Sequence, residues 1–148
     1  MPTIRFTVSS PASCSDIAAA LTDFGARRPQ VWRNLDPTSY RVHAQGETWV
    51  DVTEGVSKAG SFWERSRYDW SQPNLVRTTL IDSNVLAPGS FWQYELRPTP
   101  GGGTEVTCTV HRLGKNLRGR ILVTLVGIVG PRVIRRDLEL MLAQLKAH

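Results

Sequence analysis

The chain has 148 residues, 41% hydrophobic and 21% charged, a balance that supports a buried core and excludes wholesale disorder. Its longest apolar run, residues 121–130, is shorter than the roughly 20 residues a membrane-spanning helix requires. No apolar leader segment opens it, so a single cytoplasmic domain over residues 1–148 is expected.

The net charge of +5 is regional. Arg112, Lys115, Arg118, Arg120, Arg132, Arg135 and Arg136 fall in a stretch without an acidic residue. The remaining eleven basic residues face thirteen acidic ones, leaving the rest of the chain at −2. A local basic patch points to an anionic surface, with membrane contact through residues 115–136, more than to nucleic acid. Cys14 and Cys108 stand far apart without metal-ligand spacing, so both are expected as small buried hydrophobes, and no metal is expected.

In chain order, residues 3–9 alternate as a strand with Ile4, Phe6 and Val8 on one face. Ser9-Ser10-Pro11 supplies a serine cap and a proline at the first helical position, predicting a helix over residues 12–21. A second short helix follows over residues 26–32, before a turn at residues 34–37. The period then becomes two, giving strands at residues 39–44, 48–56, 60–70, 75–84, 89–97 and 103–112. Short separators rich in Gly, Pro, Ser and Asn favour an antiparallel meander. Last, Ile134, Leu138, Met141 and Leu145 step by four, three and four along a helix. Upstream, residues 121–129 are apolar nearly all round, which predicts burial on more than one side. Gly130-Pro131 predicts a kink or break between the two stretches.

This order, with Ser-Ser-Pro-Ala-Ser before the first helix and the Pro88-to-Thr107 hairpin stretch with its Gly101-Gly102-Gly103 turn, resembles the SRPBCC superfamily. That group includes START-like, Bet v 1-like and polyketide cyclase/dehydrase-like proteins. The resemblance implies an α+β helix-grip fold: a curved seven-stranded antiparallel sheet around a long C-terminal helix, with two short helices after the first strand. It also implies an internal pocket, since members bind lipids, hormones, polyketides or other secondary metabolites, and some are cyclases.

Strand parity supplies candidate walls: Val52 and Glu54; Glu64, Tyr68 and Trp70; Leu80; Trp92 and Tyr94, closed by Ile134, Leu138 and Met141 of the helix. The same faces fit a filled core. Glu54, Glu64 and Asp82 stand out because they share the apolar parity, where a carboxylate must be paired or neutralised. Each is read either as an acid/base or anchoring group, or as a strand-end residue near solvent, or as half of an ion pair with Arg112 or another arginine. Glu64 and Tyr68 are the candidate catalytic pair. Trp49 and Trp63 fall on the outward parity, which suggests a loop contact, a homodimer surface or a register slip. The three histidines form no triad, and no nucleotide or dinucleotide fingerprint is present, so no cofactor is expected.

Three functions compete: binding of a hydrophobic small molecule in an apolar pocket, polyketide cyclase/dehydratase chemistry with pocket acid/base groups, and lipid carriage at an anionic membrane.

Overall fold

The structure is a computed structural model that describes residues 3–32, 35–56 and 62–146. Among the described residues there are seven strands: β1 (Thr3–Ser10), β2 (Arg41–Gln45), β3 (Trp49–Val56), β4 (Phe62–Asp69), β5 (Leu75–Ser83), β6 (Phe91–Pro98) and β7 (Thr104–His111). Helices α1 (Cys14–Leu21) and the one-turn α2 (Arg28–Val31) follow β1, and α3 (Leu117–Lys146) ends the chain. All strand pairs are antiparallel, in the order β1-β7-β6-β5-β4-β3-β2. Strands β2 to β7 form a meander, and β1 returns to pair with β7. This is the expected helix-grip architecture. The first residues of the expected strand at 60–70, and the turn before it, lie outside the described residues.

Alternation makes the sheet one-sided. Val106, Cys108 and Val110 of β7 are wholly buried, while Thr107, Thr109 and His111 between and after them are not. The glycine run is a hairpin turn, as expected. Thr99 N–H donates to the Gly103 carbonyl at 2.9 Å, and Gly102 takes a φ of +87° that favours glycine. One parity expectation fails. In the β4–β5 register Arg65 faces Asp82 but Ser66 faces Leu80, so Ile81 is an extra residue in β5. Beyond this bulge the alternation flips. Asp82 therefore points outward, 3.7 Å from Lys115, and Ser83 takes the buried place.

The first helix also starts later than Ser9-Ser10-Pro11 suggests. Ser10 remains in the sheet opposite Thr104, and Ser13 is the cap, its Oγ accepting from Asp16 N–H at 3.2 Å. Ile17 and Leu21, four apart, turn one face of α1 into the core.

Helix α3 is continuous through Gly130-Pro131, so of the expected kink or break the break does not occur. It begins at Asn116, whose Oδ1 accepts from Gly119 N–H at 2.8 Å. A Cβ on Gly119 would overlap the Val85 carbonyl, so glycine there allows the first turn to close on the sheet. In its last turns Leu138, Met141 and Leu142 are buried with Ile4, Val8, Ile17, Leu96 and Val106. Each such side chain contributes about 1.5–3 kcal/mol on burial. Residues 121–129 contradict the expectation of all-round burial. Val123 faces a small cluster with Leu80, Val85 and Leu86, but Ile121, Leu125, Ile128 and Val129 are each more than half exposed. The physical reason is that a helix lying on one sheet has only one covered side.

Candidate ligand-binding site

Between the inner face of the sheet and the first half of α3 lies a cavity of about 450 Å³. Leu122, Val123, Val126 and Ile134 of α3 form one wall, and Phe62, Trp92 and Tyr94 of the sheet form the other. Leu21, Trp32 and Leu35, around α2, close a third side. The volume lies within the usual range for small-molecule sites.

Its polar groups come from a sequence coincidence. Glu54 of β3 and Glu64 of β4 are directly opposite each other, and like charges so placed repel. Each is met by its own arginine. Arg28 Nε donates to Glu54 Oε2 at 2.9 Å, and Arg112 Nη1 donates to Glu64 Oε2 at 2.7 Å. The first pair is the more deeply buried, with side chains 5% and 8% exposed. Arg28 also donates through Nη1 to the Leu21 and Asp23 carbonyls, at 3.2 and 3.3 Å, and stacks over the Phe24 ring at 4.1 Å. Its Nη2 donates to the Tyr68 hydroxyl at 3.2 Å, and that hydroxyl donates to Glu54 Oε1. Arg28, Glu54 and Tyr68 thus form a closed network in which every partner is charged or hydrogen-bonded.

The electrostatics follow from this geometry. Burial opposes the Arg28 charge, but the Glu54 carboxylate and the Tyr68 oxygen outweigh it and hold its pKa above the usual arginine value. Burial, reinforced by the Glu54 charge, pushes the Tyr68 phenol far above its usual value, against the opposing pull of Arg28. Tyr68 is accordingly a neutral hydroxyl at any physiological pH, able to donate a proton but not to accept one as phenolate. Tyr94, also on the wall, is raised mainly by burial. Three buried polar atoms have no hydrogen-bond partner among the described residues, Trp32 Nε1, Trp92 Nε1 and Thr78 Oγ1, and both tryptophans line the cavity.

Of the residues expected to line a pocket, Glu54, Glu64, Tyr68, Trp92, Tyr94 and Ile134 line this cavity. Val52, Trp70, Leu80, Leu138 and Met141 do not. Leu138 and Met141 belong to the packed core at the far end of α3, and Leu80 to the Val85–Leu86 cluster. Val52 is wholly buried in β3, and Trp70, just past β4, stacks against Phe24. Arg112, counted in the basic patch, turns inward and is 13% exposed. Of the outward tryptophans, Trp49 lies under the Arg67 guanidinium at 4.4 Å, and Trp63 is 36% exposed. His43 hydrogen-bonds Thr53 at 2.7 Å, and His111 meets Thr3 at 2.9 Å, both away from the cavity. Sequence reading missed Arg28. Its helix is one turn long, too short to show a periodicity that marks an inward arginine. The only signal was an unexplained demand, since Glu54 on the apolar parity requires a cation from somewhere.

No family profile matches the chain, and no curated protein matches it in sequence. Solved structures do match in shape. Zhui aromatase/cyclase from Streptomyces sp. R1128 superposes with a TM-score of 0.79 at 13% identity, over 97% of this chain and 93% of that one. A START superfamily protein from Mycobacterium smegmatis gives 0.76 at 17%, over 97% and 98%. Norcoclaurine synthase from Thalictrum flavum, solved with dopamine and hydroxybenzaldehyde, gives 0.70 at 13%, over 99% and 87%. At such identities the likeness is one of fold.

Proposed function

We propose that this chain, which has the helix-grip fold of the SRPBCC superfamily, binds a hydrophobic small molecule with a polar, oxygen-bearing end in its internal cavity. Proteins of this fold typically hold hydrophobic ligands. The observation that carries the reading is the cavity itself: about 450 Å³, with apolar and aromatic walls and two arginine–glutamate pairs, Arg28–Glu54 and Arg112–Glu64, among its charged groups. A wall whose charges are internally neutralised accepts an apolar ligand without a stranded ion. The Trp32 and Trp92 N–H groups, without partners among the described residues, would supply donors for a ligand oxygen. The site favours a neutral lipid-like or polyaromatic molecule over a sugar or nucleotide.

Tryptophan fluorescence tests this directly, because Trp32 and Trp92 line the cavity. Titration with fatty acids, sterols and polycyclic phenols should change the emission saturably for at least one class. Val126→Trp, which fills the space from α3, should abolish that response while leaving the fold intact by circular dichroism. Equal responses from both proteins would refute the reading.

One observation favours a second reading, catalysis of the aromatase/cyclase type. Tyr68, on the cavity wall, is a neutral phenol held between Glu54 and Arg28, the arrangement of a positioned proton donor. In this role Tyr68 would turn its O–H from Glu54 to a developing alkoxide and leave the phenolate oxygen beside Arg28. Glu64, whose two oxygens accept from Arg112 at 2.7 and 3.5 Å, would take the proton from carbon. If a poly-β-ketone substrate is turned over, Tyr68→Phe and Glu64→Gln should each slow it more than about 100-fold. Unchanged rates in both would exclude catalysis by this pair.

A further inference from the structure

The outer face of α3 is unusual for a helix in a folded domain. Leu117, Ile121, Leu125 and Ile128 step by four, four and three along one side, and Val129 widens the stripe. Leu117 is 75% exposed and Ile128 is 71% exposed, and Ile121, Leu125 and Val129 are all above half. The opposite side of the same turns supplies Leu122, Val123 and Val126 to the cavity wall. The first half of α3 is therefore apolar on both sides, with the protein covering only one. A continuous exposed apolar stripe marks a surface that meets something.

Charge identifies the partner. Arg118 and Arg120 lie at the start of the stripe, Arg132 and Arg136 at its end, and all four are exposed. No acidic residue occurs in the sequence between Glu105 and Asp137, and at the Lys115 end Asp82 lies 3.7 Å from the lysine. An apolar stripe bracketed by arginines at both ends opposes self-association. Whether two copies align parallel or antiparallel, arginines face arginines. The same pattern suits an anionic lipid surface, where the leucines and isoleucines enter the headgroup boundary and the arginines meet phosphate and carboxylate groups. No helix among the described residues is long and apolar enough to cross a membrane, so contact would be at the surface.

We propose that the exposed face of α3 between Leu117 and Arg136 docks on an anionic lipid surface. Val133, 47% exposed and also on the cavity wall, places the rim of the cavity at the edge of that docked face. Docking needs no occupant in the cavity, so this proposal and the ligand-binding reading can fail separately.

The test is co-sedimentation of the full chain with phosphatidylcholine vesicles with and without phosphatidylserine, at low and high salt. Binding should require phosphatidylserine and weaken with salt. Arg132→Ala/Arg136→Ala should weaken it by more than about tenfold, near fivefold per arginine. Ile128→Asn should weaken it at unchanged charge. Circular dichroism and thermal unfolding of the variants establish that these exposed substitutions leave the fold intact. Equal binding to neutral and anionic vesicles would overturn the proposal, as would indifference to all three substitutions. A concentration-dependent dimer abolished by Ile128→Asn would assign the stripe to a second copy and overturn it as well.

Discussion

The two halves of α3 are built from similar residues but do opposite things. In the last turns, Leu138, Met141 and Leu142 fill the space against β1, β6, β7 and α1 and leave no cavity lining. In the first turns, Leu122, Val123 and Val126 face a cavity, and Ile121, Leu125 and Ile128 face outward. The difference lies in what the sheet offers beneath. Under the closed half it presents valines, a cysteine and a leucine that are buried together with the helix. Under the open half it presents two opposed glutamates, whose arginines and attendant aromatics hold space apart instead of filling it. Close packing is concentrated in one half and the cavity in the other.

That contrast can be broken, and the largest effect is expected at its polar centre. Arg28→Met leaves Glu54 buried without its cation and should cost about 3–5 kcal/mol in urea unfolding. Arg28→Met/Glu54→Leu should recover most of that loss, because a buried pair replaced by apolar groups is often neutral. If the double variant is as unstable as the single one, the pair is structural and the division between halves is wrong. Leu138→Ala in the closed half should cost about 2–5 kcal/mol, against less than about 0.5 kcal/mol for the exposed Leu125→Ala. Comparable losses would show that the outer stripe is covered in solution.

A third effect is read by pH. Folding raises the Tyr68 and Tyr94 pKa values, chiefly by burial, so the folded state favours the protonated phenols. Their contribution is fully present below the unfolded tyrosine value of about 10 and is lost as pH rises above it. Stability should fall by about 1.4 kcal/mol per pH unit for each tyrosine above that point. Tyr94→Phe should lower the slope by that one tyrosine's share, with Tyr68 and the buried Cys108 thiol, itself pushed up to about 12, supplying the rest. A flat profile from pH 9 to about 11 would contradict burial of both rings.

The fold was legible because alternation and short turns are local signals: every strand from β2 to β7 and the stripe through Ile134, Leu138 and Met141 could be read directly. The site was half legible. Parity marked Glu54 and Glu64 as carboxylates needing partners, and Arg112 was among the expected partners, but which arginine met which carboxylate depends on tertiary distance. Arg28 reaches Glu54 across 26 residues from a one-turn helix, which no period reveals. Asp82 was misplaced because a single-residue bulge at Ile81 inverts every parity after it. The exposed stripe was read as buried because hydrophobicity reports a preference for contact and does not say with what.

Native mass spectrometry tests the central claim most directly, with wild-type chain and Val126→Trp each incubated with a hydrophobic extract of the cells that express them and then desalted gently. The account predicts a stoichiometric small-molecule adduct on the wild type and a bare mass for the filled variant. A bare wild-type spectrum, or the same adduct on both, would contradict a ligand held in the cavity.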